Sequence, residues 1–547
     1  MATLVLKILD FIRLHDDAFE TFTDSNSSHE LMSYKPRSFR DEYNQFFERT
    51  DTLYRYSLPV LPDFWRKHVL DAQLPIRPLF SQNPATTINN VVSATIDKYS
   101  PLYQGVNFYN YFAVDGLEAD LLRLLENWQR YLVPDEGKVY PLKQPIEVIY
   151  IKGDLAKPTV LDKAVEPLIP IFPGPPWSSD PLFTFSPMTV GVQHWAVLKK
   201  SVTTQGFWHD LGLDTLPPLT PNEATASVII SDIEPAWQLP SPTLATLPPE
   251  ITLVKFGTNL PANPANGSFR QHGRRVLELI NGSTPPLRGI APTAAIALYA
   301  ATFVPAVGFH ENRTDDALLA AIWQNRLTPG NMILLEVSLP TPPIYDPAFG
   351  VGAGFNYPIE TEQAIFDLIS LATRTAINLL IVEPAANGIG FDLDTYKPKP
   401  YKTASGTVQI ASDASFSTAS TGDAAVWAFY TACAKRNRTL RFDKENDSGA
   451  IMVGAVKRDG SGWKRTHNFG SRIDVNAPGD GVPVSDGTFG ETSAASALIA
   501  GSVGLLQQLR RSTPGQPDWH SADIRAKFRT TLGPTHTQLP DMTVMAS

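Results

Sequence analysis

Three residues of this chain combine a reactive side chain with a position that hydrolytic chemistry uses. Ser493 stands at the start of an apolar helix crowded with small residues, in FGETSAASALIAGSVGLLQQL. A serine there has exposed backbone N–H groups and a positive dipole end beside it, the surroundings an anionic tetrahedral intermediate needs. His272 precedes a glycine and an apolar helical face in QHGRRVLELING. Asp232 follows a buried run in ASVIISDIEPAW, at the strand end where α/β proteins place their functional groups. Singly, each position equally suits a helix cap or a packing residue. Together they supply three coupled roles. Serine is a weak nucleophile at neutral pH, His272 is a base of suitable strength, and Asp232 could hold the imidazole tautomer and stabilise its protonated form.

The elements that must position these groups follow from the apolar pattern. Buried runs at residues 226–230, 294–299, 332–337 and 377–382 alternate with helix-like stretches at 315–324 and 359–375. Continuous apolar strands separated by helices predict a mostly parallel sheet covered on both faces. Further upstream, Leu4, Ile8, Leu9, Phe11 and Ile12 have helical spacing, and Ser38 with Asp41 resembles a capping box opening a second helix. Residues 106–114 alternate as a strand, 115–132 form an amphipathic helix pattern, and 146–151 read as another strand. Eight prolines between Pro158 and Pro187 are too many for internal helix or central strand, which makes that stretch a linker. A helix carrying Trp427, Phe429 and Tyr430 is expected over 420–436, as a packed insertion. The resulting division is a helical accessory region at 1–104, a small α/β unit at 105–155, a proline-rich linker at 156–222, a catalytic domain at 223–535 and a tail at 536–547.

Composition narrows the function classes. The 547 residues carry a net charge of −9, so no basic field attracts nucleic acid or anionic lipid. Cys433 is the only cysteine, which excludes an intrachain disulfide and a thiolate zinc site. The apolar run at the amino terminus is broken by Lys7 and Asp10 and lacks a small-residue cleavage site, and no run reaches the ~18 apolar residues of a membrane span. An intracellular protein, with no membrane partner, is the expectation. Asp392, Asp394 and Asp413 could gather around calcium, but their spacing is not that of a calcium loop and surface acids are the plainer reading. No cofactor or metal is required.

The ordered motifs resemble those of the subtilisin-like serine peptidases. Thr492, Ser493, Ala495, Ala500 and Gly501 match the family's serine motif, His272 and Gly273 its histidine motif, and residues 289–294 its Gly-x-Ala-Pro-x-Ala. The segment INLLIVEPAANGIGFDLD is similar to the strand and turn that carry the family's side-chain oxyanion donor, which falls on Asn387. Asp-Ile-Glu at 232–234 with Trp237, LLEV at 334–337 and YPIETE at 357–362 look closest to one branch of that family. The resemblance implies a subtilisin-like three-layer α/β domain, an Asp232–His272–Ser493 triad with Asn387 in the oxyanion hole, and a serine endopeptidase acting on protein or peptide substrates. It also implies that residues 105–151 act as a propeptide whose trailing chain passes the cleft. Three positions depart from the pattern: Arg274 after His-Gly, Glu491 in place of a glycine, and Pro340 in the segment that pairs with substrate. These departures motivate the alternative of a weakened or inactive fold serving as a protein-binding scaffold. Peptide specificity and oligomeric state are left open by the sequence.

Overall fold

The computed structural model describes residues 2–8, 19–23, 30–34, 76–80, 111–117 and 146–153, with isolated positions at 108, 120, 121, 124, 210–213 and 216. Beyond these it describes most of 228–235, 267–281, 289–303, 311–346, 350–388, 392–394, 399–402, 408–411, 447–459, 462–484, 487–532 and 537–546. The chain clusters into two compact units.

The first unit contains Met1–Asp154, Glu360–Leu371 and Lys397–Arg441. Its sheet has four strands, β1 (Ala2–Ile8), β2 (Ile76–Pro78), β3 (Tyr111–Gly116) and β4 (Ile146–Ile151), in the order β2-β3-β1-β4. β1 runs antiparallel to both neighbours, Leu4 lying opposite Val114 on one side and Ile151 on the other. This corrects the helix expected over residues 4–14. Leu4, Val5 and Leu6 are fully buried, and a central strand covered on both faces reads as a continuous apolar run that periodicity alone does not separate from a helix. In the region 1–104, expected to be helical, the described elements are strands, and β1 shares a sheet with β3 and β4. Within this unit Tyr111 Oη donates to Asp367 Oδ2 at 2.5 Å and the Gly153 N–H donates to Glu362 Oε1 at 3.0 Å. Both acceptors flank or belong to the helix Gln363–Ala372. Asp120, Leu121 and Leu124 are helical, inside the helix expected over 115–132. The capping box at Ser38, the proline-rich linker and the helix expected over 420–436 lie outside the described residues.

The second unit holds a seven-stranded sheet. Its strands are β5 (Ile229–Glu234), β6 (Ala295–Ala300), β7 (Met332–Leu335), β8 (Leu380–Pro384), β9 (Ile451–Asp459), β10 (Gly462–Arg465) and β11 (Val475–Pro478). The order is β10-β9-β8-β7-β5-β6, with β11 also paired to β9, and every pairing except β9 with β10 is parallel. The four apolar runs of the sequence thus become β5 to β8. Among the described residues the helices α1 (Gly267–Asn281), α2 (Thr314–Asn325), α3 (Glu491–Ser512), α4 (Ser521–Thr531) and α5 (Met542–Ala546) accompany them.

β5 shows how the layers form. Alternation sends Ser231 to one face, where its Oγ accepts from Asn325 of α2 at 2.9 Å, and Ile230, Asp232 and Glu234 to the other. On that second face α3 comes close enough that a Cβ on Gly504 would lie 3.0 Å from Ile230 Cδ1. The small residues of α3 therefore serve packing: the helix is buried from Thr492 to Gln508 and joins α1 in one apolar core with β5, β8 and β9. The fold is α/β, a mostly parallel sheet between helices.

Candidate active site

Successive connections leave β5 on opposite sides, to β6 and then to β7, which makes the carboxyl ends of β5 and β7 the topological switch point of the sheet. Charged groups gather there. Asp232 and Glu234 come from β5, and Glu336 follows β7 directly; the three are almost wholly buried. His272 comes from α1 and Ser493 from the first turn of α3, both under 10% exposed, at 5% and 8%.

The imidazole is held by Glu234. His272 Nδ1 lies 2.8 Å from Glu234 Oε2, leaving Nε2 as the other ring position. The edge of Phe489 meets the ring at 5.2 Å between centroids and 81° between planes, fixing its tilt. Asp232 does not make the contact expected of it, since both its carboxyl oxygens are buried without a hydrogen-bond partner. The physical reason is strand geometry. Residues two apart share a face, and Glu234 is both nearer the strand end and one methylene longer, so its carboxyl reaches the ring first.

Ser493 meets a second acid. Its side chain neighbours Glu336, whose Oε1 accepts from Ser496 Oγ at 2.5 Å. Burial pushes the Glu336 carboxyl up to about 8, opposed by the nearby His272 and reinforced by Glu234. Burial also drives Asp232 and Glu234 well above the usual carboxylate range, Asp232 being raised further by Glu234 and Glu336. For His272 burial acts in the opposite sense and lowers its pKa, more than Glu336 and Glu491 raise it. A neutral imidazole is the state a general base requires.

Asn387 sits three residues beyond β8, on a turn braced from several sides. Asn468 Nδ2 donates to Ala385 O at 2.9 Å and Asn356 O at 2.7 Å, and the Asn356 N–H donates to Asn387 O at 2.5 Å. The side-chain amide of Asn387 is oriented by α3: Oδ1 accepts from the Thr492 N–H at 3.0 Å and from Thr492 Oγ1 at 2.6 Å. Its Nδ2 then donates to Glu491 Oε2 at 2.6 Å.

The sequence reading named Glu234 and Glu336 only as parts of motifs, yet both occupy the strand-end position that singled out Asp232. Of the departures, Arg274 pairs along α1 with Glu278, Nη1 to Oε1 3.8 Å, and Pro340 lies opposite Asn356 in the hairpin formed by Ser338–Asp346 and Gly350–Pro358. Asp394 accepts from the Ser471 N–H and hydroxyl, Asp392 accepts from the Asp394 N–H, and Asp413 lies outside the described residues. Among the described residues no group of three or more His, Cys, Asp or Glu side chains could hold a metal ion, and no helix is long and apolar enough to cross a membrane.

No protein-family model matches the chain, and no curated protein matches it. Among solved structures it is similar to fervidolysin from Fervidobacterium pennivorans, a keratinolytic enzyme related to subtilisin, at 14% identity and a TM-score of 0.43, over 85% of this chain and 59% of that one. It is similar to the epidermin leader peptide processing serine protease of Staphylococcus aureus at 12% identity and a TM-score of 0.40, over 88% and 95% of the two chains. The A-subunit of an AB5 toxin from E. coli gives 14% identity and a TM-score of 0.38, over 63% of this chain and 100% of that one. At these scores the functional reading rests on the site's own residues.

Proposed function

We propose that the chain is a serine peptidase of the subtilisin-like kind, with Ser493 as nucleophile, His272 as base and Glu234 as the group that holds the imidazole. The observation that carries this reading is a buried imidazole of lowered pKa with a carboxyl on Nδ1, sharing its neighbour Glu336 with a serine in the first turn of a helix. In the reaction the Ser493 proton passes to His272 Nε2 as Oγ attacks the carbonyl carbon of the scissile bond. The carbonyl oxygen takes the negative charge, which the Ser493 N–H and Asn387 Nδ2 receive. His272 then returns the proton to the leaving amine, an acyl-enzyme remains, and a water activated by the same imidazole hydrolyses it. Peptide bonds are the substrate class to which the ordered motifs around His272, Asn387 and Ser493 point. Asp232 keeps a supporting part, as a second buried acid beneath Glu234.

Fluorophosphonate labelling tests the proposal. Ser493 Oγ should attack the phosphorus of the probe and expel fluoride, marking the folded chain, and Ser493→Ala should abolish the mark. Folded protein that takes no label would favour the scaffold alternative.

A propeptide role for residues 105–151 remains a proposal of the same kind. Its decisive segment, the chain after Gly153, lies outside the described residues, and amino-terminal sequencing of active protein would decide it: retention of the first 200 residues overturns the role.

A further inference from the structure

Glu491 stands where the serine motif is otherwise small, and its backbone is held in a conformation that disfavours any side chain. Its φ is +63°, in the left-handed region that glycine adopts freely and other residues enter at a cost. The surroundings impose that angle. The Glu491 N–H donates to Gly479 O at 2.6 Å, and Gly479 approaches so closely that a Cβ there would lie 2.7 Å from Glu491 O. A glutamate kept at such a position has a side chain with something to do.

What it does is visible at Asn387. The amide of Asn387 is fixed in sense, because Oδ1 takes both the N–H and the hydroxyl of Thr492. Nδ2 therefore presents its hydrogens on the other side, where Glu491 Oε2 sits at 2.6 Å. A carboxylate oxygen resembles the oxygen of a tetrahedral intermediate in charge and in its demand for a short, charge-assisted hydrogen bond. Glu491 also lies close enough to raise the His272 pKa, so the same carboxylate faces both the base and the donor of the oxyanion.

We propose that Glu491 is a built-in occupant of the oxyanion site: the resting chain places its own carboxylate on the donor that the developing oxyanion needs, and substrate must displace it before turnover. The inference rests on the serine peptidase reading of Ser493, His272 and Asn387. Both Asn387 and Glu491 are only partly buried, so the carboxylate can swing outward without disturbing the core. The device makes the fold latent without removing any reacting group, which reconciles an assembled site with a motif that departs from its pattern at one position.

The experiment compares fluorophosphonate labelling rates of the full-length chain with Glu491→Gly, Glu491→Gln and Ser493→Ala. Glycine suits φ +63° and removes the carboxylate; glutamine keeps the length and removes the charge. Freeing a charge-assisted bond should speed labelling by about tenfold or more in Glu491→Gly, with Glu491→Gln between it and the parent. Thermal melting checks that each variant is folded. If the parent labels at Ser493 and neither Glu491 variant labels faster, the occupant role is overturned while the peptidase reading stands. If no folded variant labels, or Ser493→Ala still labels, the peptidase reading itself fails and the occupant role falls with it.

Discussion

Asp232 and Glu234 differ by two positions along one strand face, and that offset decides which of them can govern the imidazole. Glu234 Oε2 touches His272 Nδ1, whereas neither oxygen of Asp232 has a hydrogen-bond partner. Replacing the residue that holds the ring should release the tautomer and cost turnover heavily. We expect Glu234→Gln to lower kcat by about 10²–10⁴, the range typical of losing an orienting acid, with KM little changed. Asp232→Asn should cost less, because neither oxygen of Asp232 contacts the imidazole. Steady-state kinetics of the two variants on one peptide substrate decide the matter; an Asp232→Asn enzyme slower than Glu234→Gln would return the orienting role to Asp232.

At the scale of elements, the amino edge of the sheet at β9 and β11 is locked to α4 by an ion network. Asp474, fully buried, accepts from the Met452 N–H of β9, from Arg472 Nη1 at 3.0 Å and from Arg525 Nε at 3.0 Å, and pairs with Arg529. Arg472 is also fully buried, so removing Asp474 would leave it the longer pairing with Asp447, at 3.6 Å, in place of two acids. Asp474→Ala should destabilise by about 3–5 kcal/mol, measurable as a lower urea midpoint with unchanged slope. A loss under about 1 kcal/mol would mean that water reaches the network. None of this was legible in the sequence, because Arg472, Asp474, Arg525 and Arg529 are scattered among polar neighbours and only tertiary folding gathers them. By contrast β5 to β8 were legible, since strands buried on both faces leave continuous apolar runs, and so was the start of α3 near Ser493, whereas His272 lies in the second turn of α1 and not at its start. The same property misled at β1, where Leu4 and Ile8 fit a helical stripe as well as a central strand. The choice between Asp232 and Glu234 was hidden for another reason: side-chain reach, not residue order, settles it.

Across the whole molecule two groups of acids pull the pH dependence of stability in opposite directions. Burial raises Glu336 from its ordinary 4.5 to about 8, and Asp232 and Glu234 also rise. Between the unfolded and folded values the native state holds more protons, so this stabilising contribution is full below the unfolded value and is lost as pH climbs through the folded one. Asp447 behaves oppositely. Although burial opposes it, Arg472 and Arg525 hold its carboxyl below the usual range, so its contribution is present above the unfolded value and lost as pH falls toward the folded one. A Tm profile should therefore decline on both sides, with the alkaline arm set by the site acids. Glu336→Gln should flatten that arm between about pH 5 and 8, by up to about 1.4 kcal/mol per pH unit for one proton. An unchanged alkaline arm would show that Glu336 titrates near its ordinary value. The first unit bears on a different property, the order in which the molecule can be made. β1 lies between β3 and β4, with Leu4 opposite both Val114 and Ile151. On the ribosome its neighbours are synthesised more than a hundred residues after it, so β1 must wait for both of them. Until then an apolar strand waits with both edges open, a nascent-chain hazard that falls to chaperones to cover.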